Sequence, residues 1–203
     1  MRLLLLALLI AVSSATSAQP YASIASGKTN VKLNVGPGLN GDVGPVWLFT
    51  GGYKITRYLS AEATYLDTND ISGTQTDSAT ASQATLTTHS WDAHGIGLFA
   101  VGTLPIGKGF DFVGKLGAYR MSTTTRSKTE TVRTVAPFGL VSAQDHGTDK
   151  HSFWAPGIAA GVQFTPSGQH GPARVGFGAM LELAKGKEIE RFRTLSVFLR
   201  ADF

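Results

Sequence analysis

The stretch from Thr194 to Phe203 alternates so regularly that it restricts the fold more than any other part of the chain. Leu195, Val197, Leu199, Ala201 and Phe203 fall on one face of an extended chain. Thr194, Ser196, Arg200 and Asp202 fall on the other, and Phe198 is the exception. Successive side chains of a strand point to opposite sides, so this is a strand with one apolar and one polar face. Two environments accept such a strand. In a water-soluble barrel or sandwich the apolar face turns inward. In a bilayer it meets lipid, and the polar face looks into an enclosed lumen.

The other end of the chain bears on that choice. Met1-Arg2 precedes a charge-free run from Leu3 to Val12, and small residues follow from Ser13 to Ala18. A basic start, a short apolar run and small residues before a cleavage point are the layout of a secretory signal peptide. The run is shorter than the roughly 20 residues of a spanning helix. Cleavage is expected after Ala18, or alternatively after Ala15, so residues 1–18 read as a signal peptide and 19–203 as one exported domain. There is no cysteine, which removes disulfides and thiol chemistry. Charged residues make up 16% of the chain, below the about 25% of soluble domains. The isoelectric point is near 9.4, but the cations are scattered and form no run, so a nucleic-acid partner is not expected.

After the leader, no segment could cross a membrane as a helix. The longest charge-free apolar stretch, Gly95 to Gly107, is broken by glycines and Pro105. A membrane protein with this sequence must therefore be a closed barrel. Alternating runs predict strands at 21–35, 46–55, 58–67, 91–104, 110–121, 153–165, 173–184 and 194–203. Short connections (55–58, 105–109, 166–172) alternate with longer ones (36–44, 68–90, 122–151, 185–191), the asymmetry of outer-membrane barrels. Thr123, Thr125, Ser127, Thr129 and Thr131 alternate inside one long polar segment, which suggests strands continuing outward as a ribbon. The expectation is an all-β, eight-stranded antiparallel up-and-down transmembrane β-barrel in the outer membrane of a Gram-negative cell. Its alternative is a soluble lipocalin-like barrel with the faces reversed. The loop asymmetry and the terminal Phe203 favour the membrane form, and Leu199, Ala201 and Phe203 are the expected C-terminal assembly signal.

The segment Phe49-Thr-Gly-Gly-Tyr-Lys-Ile-Thr-Arg-Tyr-Leu-Ser-Ala-Glu-Ala-Thr-Tyr65 resembles the second hairpin of the OmpA-like porin family. Phe112-Val-Gly-Lys-Leu-Gly-Ala-Tyr119 and Ala160-Gly-Val-Gln-Phe-Thr-Pro166 are similar to its fifth and sixth strands. Since the chain ends with the last strand, the barrel domain alone is expected, with no periplasmic peptidoglycan-binding domain after it. The resemblance implies a lumenal charge network of an acid on strand three, a Lys on strand five, an acid on strand six and an Arg on strand seven. Glu62 and Lys115 match the first two. Gln163 and Met180 occupy the other two, so half of that network is missing and a gated pore is in doubt.

Five ionic residues are predicted to face the lumen: Glu62, Lys115, Arg174, Glu182 and Arg200. Buried ions are tolerated when paired and hydrogen-bonded, so the simplest expectation is that they satisfy one another and fill the barrel. A water path or narrow conductance is the functional reading. The five histidines, at 89, 94, 146, 151 and 170, show no spacing that suits a metal, and no cofactor is implied. A lipid-modifying enzyme would need a His and a Ser or Thr together, for which Thr87/His89 and His151/Ser152 are the only candidates. Trp47, Trp91, Trp154 and Tyr65 at one end, with Tyr53, Phe110, Phe112, Phe164 and Phe203 at the other, suggest two interfacial aromatic belts. The expected function is structural or surface contact through the long loops, with a narrow passive channel for small solutes as the alternative. Expected partners are outer-membrane lipid, the assembly machinery and periplasmic chaperones during biogenesis, and a host or environmental surface ligand, around a monomeric barrel.

Overall fold

The computed structural model describes residues 19–33, 42–79, 83–135, 139–167, 173–187 and 189–203. The expected signal peptide, Val35, His170, most of the 36–44 connection and part of the 166–172 turn lie outside them. Eight strands run in order: β1 (Gln19–Leu33), β2 (Asp42–Lys54), β3 (Leu59–Ala79), β4 (Gln83–Gly107), β5 (Phe110–Val135), β6 (Gly139–Phe164), β7 (Arg174–Ala184) and β8 (Ile189–Asp202). Each pairs antiparallel with its sequence neighbours, and β1 pairs with β8, so the sheet closes into an up-and-down barrel.

Period-2 alternation decides which face is which. Leu116 is 66% exposed, Val197 65% and Leu98 64%, on the same outward face as Ile96, Ile158, Phe177, Leu195 and Leu199. The inward positions of the barrel carry Glu62, Thr64, Lys115, Glu182, Ser196 and Arg200. A continuous apolar belt outside and ions inside is the arrangement of a lipid-embedded barrel and the inverse of a lipocalin-like one. Trp47, Tyr65 and Trp154 are exposed near the long-strand end, and Tyr53, Phe110, Phe112 and Phe203 near the short turns. Trp91 does not join the outer belt. It is 2% exposed, because it shares the inward parity of Ala93, Phe99 and Val101.

The lumen is packed as a core. Tyr119 and Phe99 meet edge to face at 4.9 Å and lie against Gly97, where any Cβ would collide with both rings. Phe198, which breaks the alternation of β8, packs on Gly178, its register partner on β7. A large ring inside a narrow barrel needs a neighbour without a side chain, which accounts for part of the glycine content.

The strands differ greatly in length. β7 has 11 residues and β2 has 13, close to the 9–11 a tilted membrane strand needs, whereas β5 and β6 have 26 each. The described residues of the segments expected as long connections, 68–90 and 122–151, therefore all lie in strands. Likewise β8 begins at Ile189, not Thr194. Polar strands outside the bilayer have no buried face to impose hydrophobic alternation, so their Thr-rich β propensity was the only sign of them. Pairing between β5 and β6 continues to Val135 and Gly139, roughly 48 Å beyond Met121 at about 3.4 Å per residue.

Leu116→Arg at the middle of the apolar belt should destabilise the barrel by about 2–4 kcal/mol, measured by denaturant unfolding in lipid vesicles. Leu116→Phe should leave the midpoint nearly unchanged. Equal effects would mean that this face does not meet hydrocarbon.

Candidate functional site

Inside the barrel the ionic side chains form two linked groups. In the first, Glu62 on β3 is 5% exposed and uses both carboxylate oxygens. Oε1 accepts a hydrogen bond from the Tyr21 hydroxyl at 2.7 Å, and Oε2 pairs with Nζ of Lys115 on β5. In the second, Arg200 on β8 donates from Nε to Asp202 Oδ1 at 2.8 Å, while Lys54 Nζ stands 3.0 Å from Asp202 Oδ2. The Arg200 guanidinium carbon lies 3.5 Å from the centroid of the Tyr21 ring, so Tyr21 connects the groups, by its hydroxyl to one and its face to the other. Arg200 also reaches Gln163 Oε1 at 3.5 Å.

Glu182 on β7 is 6% exposed and lies beside the Tyr119 hydroxyl. Its Oε1 has no hydrogen-bond partner among the described residues. The space between these groups is a cavity of about 30 Å³ lined by Glu62, Lys115, Tyr119, Glu182 and Arg200 among others. That is room for about one water, which could satisfy the carboxylate oxygen. Toward the long-strand end the lumen is apolar: Val31, Val46, Leu66, Trp91, Met121, Ile189 and Phe192 are each at most 3% exposed and belong to one packed cluster.

Four of the five predicted lumenal ions are thus inside. Glu62 and Lys115 meet directly, Arg200 pairs with Asp202, and Glu182 approaches Tyr119. Arg174 has the inward parity of β7 but is exposed at the mouth, where it shares a cavity with Arg200, because it is the first residue of its strand. Leu199 and Phe203 project outward, and the Phe203 amide donates to the Pro20 carbonyl at 3.0 Å. Sequence reasoning missed Tyr21, Asp202 and Lys54. Tyr21 and Asp202 could have been found by extending the inward parity of β1 and β8 to their first and last residues. Of the positions where the resemblance left gaps, Gln163 touches Arg200, and Met180 lines the cavity without charge.

Of the two candidate pairs, Thr87 and His89 share a face of β4. His89 faces Ser127 across the sheet, and His151 and Ser152 are strand neighbours on opposite faces. Among the described residues no group of three or more His, Asp or Glu side chains is placed to hold a metal ion.

Removing one member of a buried ion pair strands the other, at a cost of about 3–5 kcal/mol. Glu62→Ala should therefore destabilise strongly in a denaturant titration, while Glu62→Gln combined with Lys115→Met should recover most of the loss. A double variant no better than the single would mean that the pair is not coupled.

Comparisons with known proteins agree with this architecture. No curated protein matches the sequence. Neisserial surface protein A aligns with 12% identity and a TM-score of 0.51, over 93% of this chain and 100% of that one. The attachment invasion locus protein Ail of Yersinia pestis, in complex with the heparin analogue sucrose octasulfate, aligns with 15% identity and a TM-score of 0.50, over 93% and 100%. At such identities these structures speak to the fold alone: small eight-stranded outer-membrane barrels. The family model for the outer membrane protein beta-barrel domain matches residues 3–181. The chain belongs to the outer membrane protein beta-barrel domain family, which places it in the outer membrane of a Gram-negative cell.

Proposed function

We propose that the protein makes contacts at the cell surface through the sheet that β3 to β6 raise beyond the membrane, and that it is neither a pore nor a catalyst. The observation that carries this reading is the length of those strands together with their open edges. Among the described residues, β3 pairs with β2 only as far as Thr68, and β6 pairs with β7 only from Gly157 onward, with the Lys185 amide donating to the Pro156 carbonyl just beyond. Residues 139–155 of β6 therefore have no described strand neighbour on one side, and 141–152 are exposed throughout. An open edge can accept a strand from another chain, with backbone hydrogen bonds giving affinity and alternate side chains giving specificity.

The chemistry of the sheet is that of a protein contact more than of a polyanion site. Arg126, Lys128, Arg133 and Lys150 stand beside Asp92, Glu130, Asp145 and Asp149, and Arg126 pairs with Asp92 at 2.9 Å. Such balance gives no ground for carrying over the heparin analogue held by the Yersinia barrel. In this reading residues 1–18 are removed on export, the assembly machinery engages the face of Leu199, Ala201 and Phe203, and the barrel stays monomeric in outer-membrane lipid.

Replacing residues 124–150 by a short turn should abolish adhesion of expressing cells to host-cell or protein-coated surfaces while heat-modifiable gel mobility persists. Undiminished adhesion of the trimmed protein would remove the proposal. Protease applied to whole cells should cut near the β5–β6 tip at Arg133 and spare Arg57 and Lys108. The apolar layer around Trp91 and Phe192 argues against the channel reading, so planar bilayers containing the purified barrel should show no discrete conductance steps.

A further inference from the structure

At the short-turn end the lumen opens into a cavity of about 280 Å³ below the buried ion pairs. Four cations from four parts of the chain converge on it: Lys54 at the end of β2, Arg57 in the β2–β3 turn, Arg174 at the start of β7 and Arg200 on β8. Only two carboxylates, Asp111 and Asp202, share the lining. Asp202 is already divided between Arg200 and Lys54, one oxygen to each. Arg57 and Arg174 have no carboxylate within ion-pair distance among the described residues, and Arg57 rests 5.4 Å over the ring of Tyr58. Ser60, Thr103 and Thr165 add hydroxyl donors on the same wall.

Like charges facing a common cavity repel one another, and a low-dielectric wall focuses their field. Arg174 is the informative member. It has the inward parity of β7 and lines the opening, rather than standing on the outward face among lipid heads. What relieves this arrangement is an anion with several acceptor oxygens, and paired guanidinium forks match a phosphate group best. We propose that this mouth binds a small oxyanion, a phosphate group, either free or carried by a lipid head, reaching the barrel from the periplasmic side. The outer-membrane barrel pattern puts short turns on that side. The ion pairs above close the cavity, so the ligand would dock there without passing through.

The test uses the full mature barrel in neutral maltoside micelles, titrated with inorganic pyrophosphate and followed by NMR. Saturable shifts of the Thr103, Gly109 and Thr165 amides are expected, with none at the β5–β6 tip. Arg57→Gln combined with Arg174→Gln should weaken binding about tenfold and keep heat-modifiable mobility, whereas Lys128→Gln with Lys150→Gln at the opposite end should not weaken it. If the double variant fails to fold, Thr103→Val carries the same comparison. Shifts that never saturate, or equal losses in both double variants, would overturn the proposal. Nanodiscs of phosphatidylglycerol against phosphatidylcholine separate the sources. The same amides shifting in phosphatidylglycerol alone assigns a lipid head, and shifting only on added pyrophosphate assigns a free phosphate.

Discussion

Every backbone amide inside hydrocarbon must find its partner within the protein, since no water is present to accept or donate. That requirement shapes the rest of this molecule. It forces the sheet to close, so that β1 takes β8 as its second neighbour, and it forbids an open edge at membrane depth. It also explains where irregularity is tolerated. The positive backbone angles of Gly107, Lys108 and Gly109 fall in a turn at the barrel rim, where solvent can satisfy what the ladder does not. Outside the bilayer the requirement lapses, and there, among the described residues, β3 and β6 run on without a second strand neighbour.

Closure with eight strands then sets the second constraint, a lumen scarcely wider than its own side chains. The protein fills it unevenly. The outer part holds apolar residues and Thr hydroxyls bonded to one another, as in Thr29 with Thr194 at 3.1 Å. The inner part holds the ions. Buried charges add little net stability, because their desolvation offsets their attraction. Their placement toward the short-turn end leaves the outer end dry. A lumen arranged this way works as a core, and the proposed contact surface lies on the strands above it.

The membrane-embedded half of the fold was legible in the sequence because lipid on one side and a packed lumen on the other impose strict alternation. Leu195, Val197, Leu199 and Phe203 were read on one face, and Glu62 on β3 was read as lumenal, as the structure has them. The projecting half was legible only in outline. Thr123 to Thr131 alternates, but neither face of that strand is apolar, so its length could not be measured. At the site, Glu62 and Lys115 stood out as ions on otherwise mild strands. Tyr21 did not, because β1 has a weak pattern and an aromatic on it looks like ordinary strand composition. The partner of Arg200 was hidden for another reason: Asp202 lies two residues along the same strand, a pair that only the shared parity of i and i+2 makes possible.

Tyr21 also bears on how the ring is completed. Its hydroxyl is held by Glu62 on β3, and its ring lies under the guanidinium of Arg200 on β8, so one side chain straddles the seam between the two ends of the chain. Hairpins such as β4–β5 join residues close in sequence, whereas the seam joins residues near opposite ends of the chain, as in Tyr21 with Asp202. Such distant pairing is the slowest to form, since the loop must be closed before any contact rewards it. The contact of Tyr21 with Arg200 cannot exist in an open, partly inserted sheet. It works as a latch that engages last, making the finished cylinder harder to unzip from the edge where it was joined.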